Sequence, residues 1–154
     1  MRFRAVGGLE INQSLIAWHI EKMAPLRCSF LPGAAAIGIM DGDSLASVTV
    51  FDGYRTDPDG TPNNIECQIA SVSPAWVNKS TVRAILSYPF CQMKVRRVTC
   101  LIGSKNTRSL KFCNGLGFKP EGWIRQGFGP EEDLIVMGML REESRRWLGG
   151  LLDV

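Results

Sequence analysis

A chain of 154 residues with 45% hydrophobic and 21% charged residues suits one domain spanning 1–154, and a net charge of +3 is too mild to call for nucleic acid. No stretch reaches the roughly 18 apolar residues of a membrane span, and the opening MRFRAVGGLEINQ lacks the apolar centre of a secretory signal, so a cytoplasmic protein is expected. The cysteines (Cys28, Cys67, Cys91, Cys100 and Cys113) form no C-x-x-C pair and are joined by a single histidine, His19, which argues against a zinc set and for free thiols in a reducing compartment.

In chain order, INQSLIAWHIEKM (Ile11 to Met23) offers Asn12 as a helix cap, with Leu15, Ile16, Ile20 and Met23 at helical spacing. A connection containing Pro, Cys and Gly runs through Gly33. AAIGIM (Ala35 to Met40) and SLASVTVF (Ser44 to Phe51) read as strands around a hairpin signal at Asp41 to Asp43. YRTDPDGTPNN is a longer turn region, and IECQIASVS (Ile65 to Ser73) is a strand that Pro74 ends. In NKSTVRAILSYPFCQM the residues Val82, Ile85, Leu86, Pro89, Phe90 and Met93 share one helix face. Pro89 cannot bond the Ile85 carbonyl and is expected to kink that helix.

RVTCLI (Arg97 to Ile102) is the next strand. A short helix then runs from Asn106 to the Gly117-Phe118 step and leads into a strand. DLIVMGML (Asp133 to Leu140) is a last strand and REESRRWL a last helix. The order α-β-β-β-α-β-α-β-β-α describes an α/β chain with a mixed sheet flanked by helices. Lys94, Arg96 and Arg97 cluster, as do Arg141, Arg145 and Arg146. The second group alternates with Glu142 and Glu143, as on a solvated helix face. Trp76, Trp123 and Trp147 read as packing residues, and His19, with no acidic partner in its motif, as a structural one.

Ile65 to Ile102 forms a β-α-β unit whose helix begins just after a strand. Such a helix start exposes unpaired N–H groups at the positive end of the dipole, a setting for phosphate, and Lys79 and Arg83 add charge there. Farther on, Asn106, Ser109, Leu116, Gly117, Phe118, Glu121 and Gly122 stand in the pattern N-x-x-S…L-G-F-x-x-E-G. This pattern resembles the closing motif of the GNAT superfamily of N-acetyltransferases, above all the branch that acetylates ribosomal-protein termini. The element order is similar from about Trp18 to Leu140, and the whole is also similar to small acetyltransferase-like proteins of tailed phages.

The resemblance implies a mostly antiparallel twisted sheet with one splayed parallel pair, and transfer of an acetyl group from acetyl-CoA to a primary amine. It implies that backbone near Ala70 to Val72, including Ser71 and Val72, pairs with the pantetheine arm. The segment Val77, Asn78, Lys79, Ser80, Thr81, Val82 and Arg83 would hold the pyrophosphate, and Asn106 would bond the coenzyme arm or order its helix. The implied partners are acetyl-CoA and an amine acceptor on a protein or small molecule, with no metal and no membrane; a homodimer is left open.

Two departures stand out. The family's coenzyme loop carries glycines, whereas Val77 to Val82 holds none. Either an ordinary helix start with Asn78, Ser80 and Thr81 as side-chain donors replaces them, or coenzyme binding is weakened or lost. The family's tyrosine acid is replaced by Cys113, whose ordinary pKa of about 8.5 suits protonation of a sulfur leaving group. A small buried packing residue is the competing reading. Glu66, on the strand entering the coenzyme loop, is the general-base candidate or else a solvent-facing strand residue. The expected alternative to an enzyme is a non-catalytic protein of the same fold.

Overall fold

The computed structural model describes residues 2–23, 30 and 33–154. The connection after Met23, with Cys28, lies outside them. The first element is a strand that the sequence reading did not assign, β1 (Phe3–Gly7), antiparallel to β2 (Ala35–Asp41) with Phe3 opposite Asp41. Its five residues alternate too briefly between apolar and polar to stand out. Helix α1 (Asn12–Lys22) follows, but Asn12 is not its cap. Ile11 takes that place, and Asn12 Oδ1 accepts the Ala36 N–H at 3.2 Å, which ties the helix to β2.

Strands β3 (Ser44–Thr56) and β4 (Pro62–Ser71) continue into the expected turn region and leave a tight reversal at Asp57–Thr61. Near its end β3 bulges at Gly53, whose φ of 65° favours glycine. Helix α2 (Lys79–Ser87) starts from a capping box: Asn78 Oδ1 accepts the Thr81 N–H at 3.0 Å and Thr81 Oγ1 accepts the Asn78 N–H at 3.1 Å. At Pro89 the helix widens into a π-helical turn, Tyr88–Gln92, closed by Met93 N–H to the Tyr88 carbonyl at 2.9 Å. The missing proline N–H is thus absorbed by a wider turn.

Strand β5 (Arg97–Gly103) leads to α3 (Thr107–Leu116). Asn106 Oδ1 accepts the Ser109 N–H at 3.2 Å and caps the start of α3. Gly117, at φ 113°, ends the helix in the left-handed region. Phe118 then drops into the core before β6 (Lys119–Gly129) and β7 (Glu132–Leu140). The last stretch is not one helix. It is a 3-10 turn at Arg141–Ser144, the short α4 (Arg145–Leu148) and a second 3-10 turn at Gly149–Asp153. Trp147 Nε1 donates to the Leu116 carbonyl at 2.7 Å, locking α4 onto the end of α3.

The described strands form one seven-stranded sheet in the order β1-β2-β3-β4-β5-β7-β6. Neighbours are antiparallel except β4 and β5, which run parallel for only three register pairs, the last being Glu66 opposite Thr99. On one face, Phe51, Ile65, Cys67, Val98 and Cys100 pack with Val82, Ile85 and Leu86 of α2 and Cys113 and Leu116 of α3. On the other, Val48, Val50 and Ala36 pack with Leu15 of α1. The helices therefore cover both sides of the place where β4 and β5 part.

Candidate active site

Past Glu66 and Thr99 the two strands diverge, and a cavity of about 470 Å³ opens between them. Cys67 to Ser71 of β4 form one wall and Cys100 to Gly103 of β5 the other. Trp76, Val77, Asn106, Ser109, Phe112 and Cys113 close it on the α2–α3 side, with Lys22, Met23, Arg108 and Phe128 at its borders. The Trp76 and Phe112 rings meet edge to face at 6.0 Å and brace the approach from the Pro74–Trp76 turn to α3. A broader depression of about 810 Å³, bordered by Trp123, Arg125 and Asp133, lies on the β6–β7 arm. Trp123 is 62% exposed there and is not a packing residue; its indole N–H donates to Asp133 instead.

The backbone of β4 explains why the cleft has a bonding edge. Val72 N–H donates to the Ala46 carbonyl at 3.0 Å, so Val72 faces β3. Alternation along the strand then turns the N–H and C=O groups of Ser71 and Ile69 toward the open side, where β5 no longer pairs. Of the two positions expected to meet a coenzyme at the end of β4, Ser71 borders the cleft. Val72 does not: its N–H is engaged and its side chain is 59% exposed.

The start of α2 is a plain helix start. Asn78 is extended and none of Val77 to Val82 needs a positive φ, so the missing glycines impose no backbone strain. Val77 borders the cleft. Two of the expected phosphate contacts are corrected by the cap geometry. Thr81 is buried, its N–H is held by Asn78, and its hydroxyl donates to the Trp76 carbonyl at 2.7 Å. Val82 points into the core and its N–H bonds the Asn78 carbonyl. Asn78 uses its side-chain oxygen on the cap, and Arg83 Nε donates to the Trp147 carbonyl at 2.9 Å. Among the described residues no acceptor meets the N–H of Lys79 or Ser80, and both side chains are exposed.

Glu66 stands opposite Asp52 across the β3–β4 ladder, with Gln68 opposite Val50, which puts it on the α1 face of the sheet. It does not border the cleft, whereas Gln68, two residues on, does. Partial burial pushes the Glu66 carboxyl up from its ordinary value. Asp52 adds to that push, and Arg55 opposes it. Cys113 lies on the opposite face, within a cluster of thiols. Cys67 and Cys100 approach at 3.1 Å between sulfurs. Hydrogen bonds to Cys113 and Cys67, with burial, hold the Cys100 thiol well above the usual range, while the bond from Cys100 draws Cys113 below it.

His19 is fully buried, with Nδ1 2.9 Å from the Val48 carbonyl. Burial lowers its pKa and keeps it a neutral packing residue away from the cleft. Among the described residues no His, Cys, Asp and Glu group could hold a metal ion, and no helix is long and apolar enough to cross a membrane.

The residues that sequence reasoning missed at this site are Arg108, Trp76, Phe112, Phe128 and Lys22. Arg108 could have been found two places after the Asn106 cap. The others converge only through packing of separate elements.

No family model and no curated protein matches the chain by sequence. Its structure is similar to that of a point mutant of the spermidine N-acetyltransferase SpeG from Vibrio cholerae, with a TM-score of 0.70 at 13% identity over 96% of this chain and 97% of that one. It is also similar to the spermidine N-acetyltransferase from Vibrio cholerae in complex with CoA and spermine, with a TM-score of 0.69 at 11% identity over 93% and 98% of the two chains. Over nearly the full length of both, the chain has the GNAT fold of these acetyltransferases.

Proposed function

We propose that the chain is an acyl-CoA-dependent N-acetyltransferase that moves an acetyl group from acetyl-CoA to a primary amine of a protein or small molecule by direct transfer. The observation that carries this reading is the unpaired edge of β4, which borders a 470 Å³ cleft leading to the start of α2. A pantetheine arm fits such an edge as an added strand, bonding to Ser71 and Ile69. The free N–H groups of Lys79 and Ser80 at the positive end of α2 suit a diphosphate, and Arg108 and Lys79 add charge. Asn106 acts by fixing the start of α3 against the cleft. The spermidine acetyltransferase solved with CoA and spermine supports a CoA donor and an amine acceptor.

The two titratable candidates lie on opposite sides of the gap between β4 and β5. The amine approaches from the α1 face. There Glu66, its carboxyl raised by burial, accepts the proton through water beside Gln68. A backbone N–H polarises the thioester carbonyl. The departing sulfur lies toward the α3 face, where Cys113, held below the usual thiol range by Cys100, returns a proton. Holding amine and thioester together supplies much of the acceleration. The Asn106-to-Gly122 motif supports a place near the ribosomal-protein branch, and an acetyl-CoA donor together with free thiols supports a cytoplasmic setting.

Calorimetry with acetyl-CoA, followed by thiol release in the presence of N-terminal peptides and polyamines, tests the reading. Saturable binding with amine-dependent thiol release is expected. No heat at millimolar coenzyme would discard the enzyme. One observation favours a non-catalytic binding protein of the same fold, namely that Asn78 occupies the Thr81 N–H that a ligand would otherwise use. Weak or absent coenzyme binding with no release across those amines would select it.

A further inference from the structure

We infer that Cys67 and Cys100 form a thiol-disulfide modification site at the foot of the cleft, closed by a low-molecular-weight disulfide that enters through the cleft itself. Three observations carry this. Glu66 and Thr99 are the last register partners of the parallel pair, so Cys67 and Cys100 are the next residues across from each other, where the strands begin to part. Residues facing each other across a parallel ladder lie about 5 Å apart, within the range a disulfide bridges. Their sulfurs already stand 3.1 Å apart on the same face. Both are buried within the fold, yet both border the cleft, so a small oxidant reaches them without unfolding.

The exchange balances as follows. The Cys67 thiolate attacks one sulfur of the entering disulfide, breaks its S–S bond and releases one small thiolate. The Cys100 thiol then displaces the second small thiolate from the mixed disulfide and forms the Cys67–Cys100 bond. The two protein thiol protons end on the two departing thiols, so the protein is oxidised by two electrons and the small disulfide is reduced. Hydrogen bonding holds the Cys100 thiol protonated, which suits it to the resolving step, and the exchange balances equally with the two roles reversed.

The new bond draws the sulfurs to about 2.05 Å and pins β4 to β5 where the cleft begins. That pinning narrows the space between Cys67–Ser71 and Cys100–Gly103. The consequence for ligand rests on the acetyl-CoA reading above; the bond itself does not.

The test treats the folded full chain with hydroxyethyl disulfide and maps linked peptides by mass spectrometry, with and without reductant. Loss of two hydrogens and a Cys67–Cys100 linked peptide are expected, also in Cys113→Ser, and the linkage should vanish in Cys67→Ser and in Cys100→Ser. Only mixed adducts, or linkage through Cys91 or Cys113, overturns the assignment. Calorimetry on the reduced and oxidised chain then reads the cleft. A reductant-reversible loss of about tenfold or more in acetyl-CoA affinity is expected, and equal affinity overturns the narrowing. A reduced chain that binds no acetyl-CoA refutes the transferase reading and leaves the mapped bond standing. Near-UV circular dichroism identifies variants that fail to fold, and for these the Cys113→Ser and wild-type maps decide.

Discussion

Glu66 of β4 and Cys113 of α3 lie on opposite sides of the sheet near its parallel β4–β5 pair, and each carries its own test. Because burial raises the Glu66 pKa, the proton-accepting form grows in as pH climbs through that raised value. Glu66→Gln should therefore lower kcat/KM and remove that acidic limb from its pH profile, and an unchanged profile excludes Glu66 as base. The same shift has a stability consequence. A carboxyl whose folded pKa lies above its unfolded one is penalised once it ionises, so its contribution is lost as pH rises through the folded value. Thermal melts should show Glu66→Gln gaining on wild type above that pH and matching it near pH 4 or below. For Cys113→Ala, turnover should fall roughly tenfold to a hundredfold with little change in coenzyme affinity. Unaltered turnover returns Cys113 to the core. The positions of Glu66, Asn106 and Cys113 were legible in the sequence because strand alternation and a spaced motif are local patterns. Thr81 and Val82 were not, because which N–H groups a capping box engages depends on the preceding turn, where Thr81 also bonds the Trp76 carbonyl.

At the scale of elements, the start of α2 decides how an anion is met. Replacing Asn78 by alanine removes the acceptor of the Thr81 N–H and should cost about 1 kcal/mol in denaturant titrations. Asn78→Gly should cost only a few tenths of a kcal/mol and leave that N–H for ligand. Calorimetry should then show acetyl-CoA binding at least as tightly as in wild type, and weaker binding would mean that the Asn78 side chain itself meets the coenzyme. Most elements were readable from period and punctuation: Gly117-Phe118 ends α3 as its chemistry dictates, while β4 stops at Ser71 and Pro74 opens the 3-10 turn that follows. The π-helical turn was half legible. Pro89 announced a break, but the choice of a widened turn over a kink depends on Phe90 being buried beneath the C-terminal turns, where its carbonyl accepts from Arg141. β1 was not legible, since a five-residue strand is stabilised mainly by its pairing with β2.

Across the whole molecule, most of the positive charges in the two sequence clusters are engaged internally. Arg96 pairs with Asp57, Arg97 with Glu121, and Arg145 with both Glu142 and Asp153, while Arg141 donates to the Phe90 and Leu152 carbonyls. Exposed pairs of this kind add little stability, but they cancel the field that phosphates would follow. Fluorescence anisotropy with duplex DNA should accordingly show no salt-sensitive binding at low ionic strength; a steep salt slope would overturn this view.

The β6–β7 arm has a consequence of a different kind. β6 is an edge strand exposed along nearly its whole length, with Trp123 and Ile124 among its exposed side chains. Such an edge is a template on which further chains can stack. Two local devices spoil it: Pro120 withholds a donor, and the irregularity between Ile124 and Gly129 turns Gln126 to a φ of 54°. Asp133 fixes that irregularity by accepting the Gln126 N–H at 2.8 Å and the Trp123 indole N–H. One carboxylate thus keeps the edge irregular, and Asp133→Ala should raise light scattering on storage without first unfolding the chain.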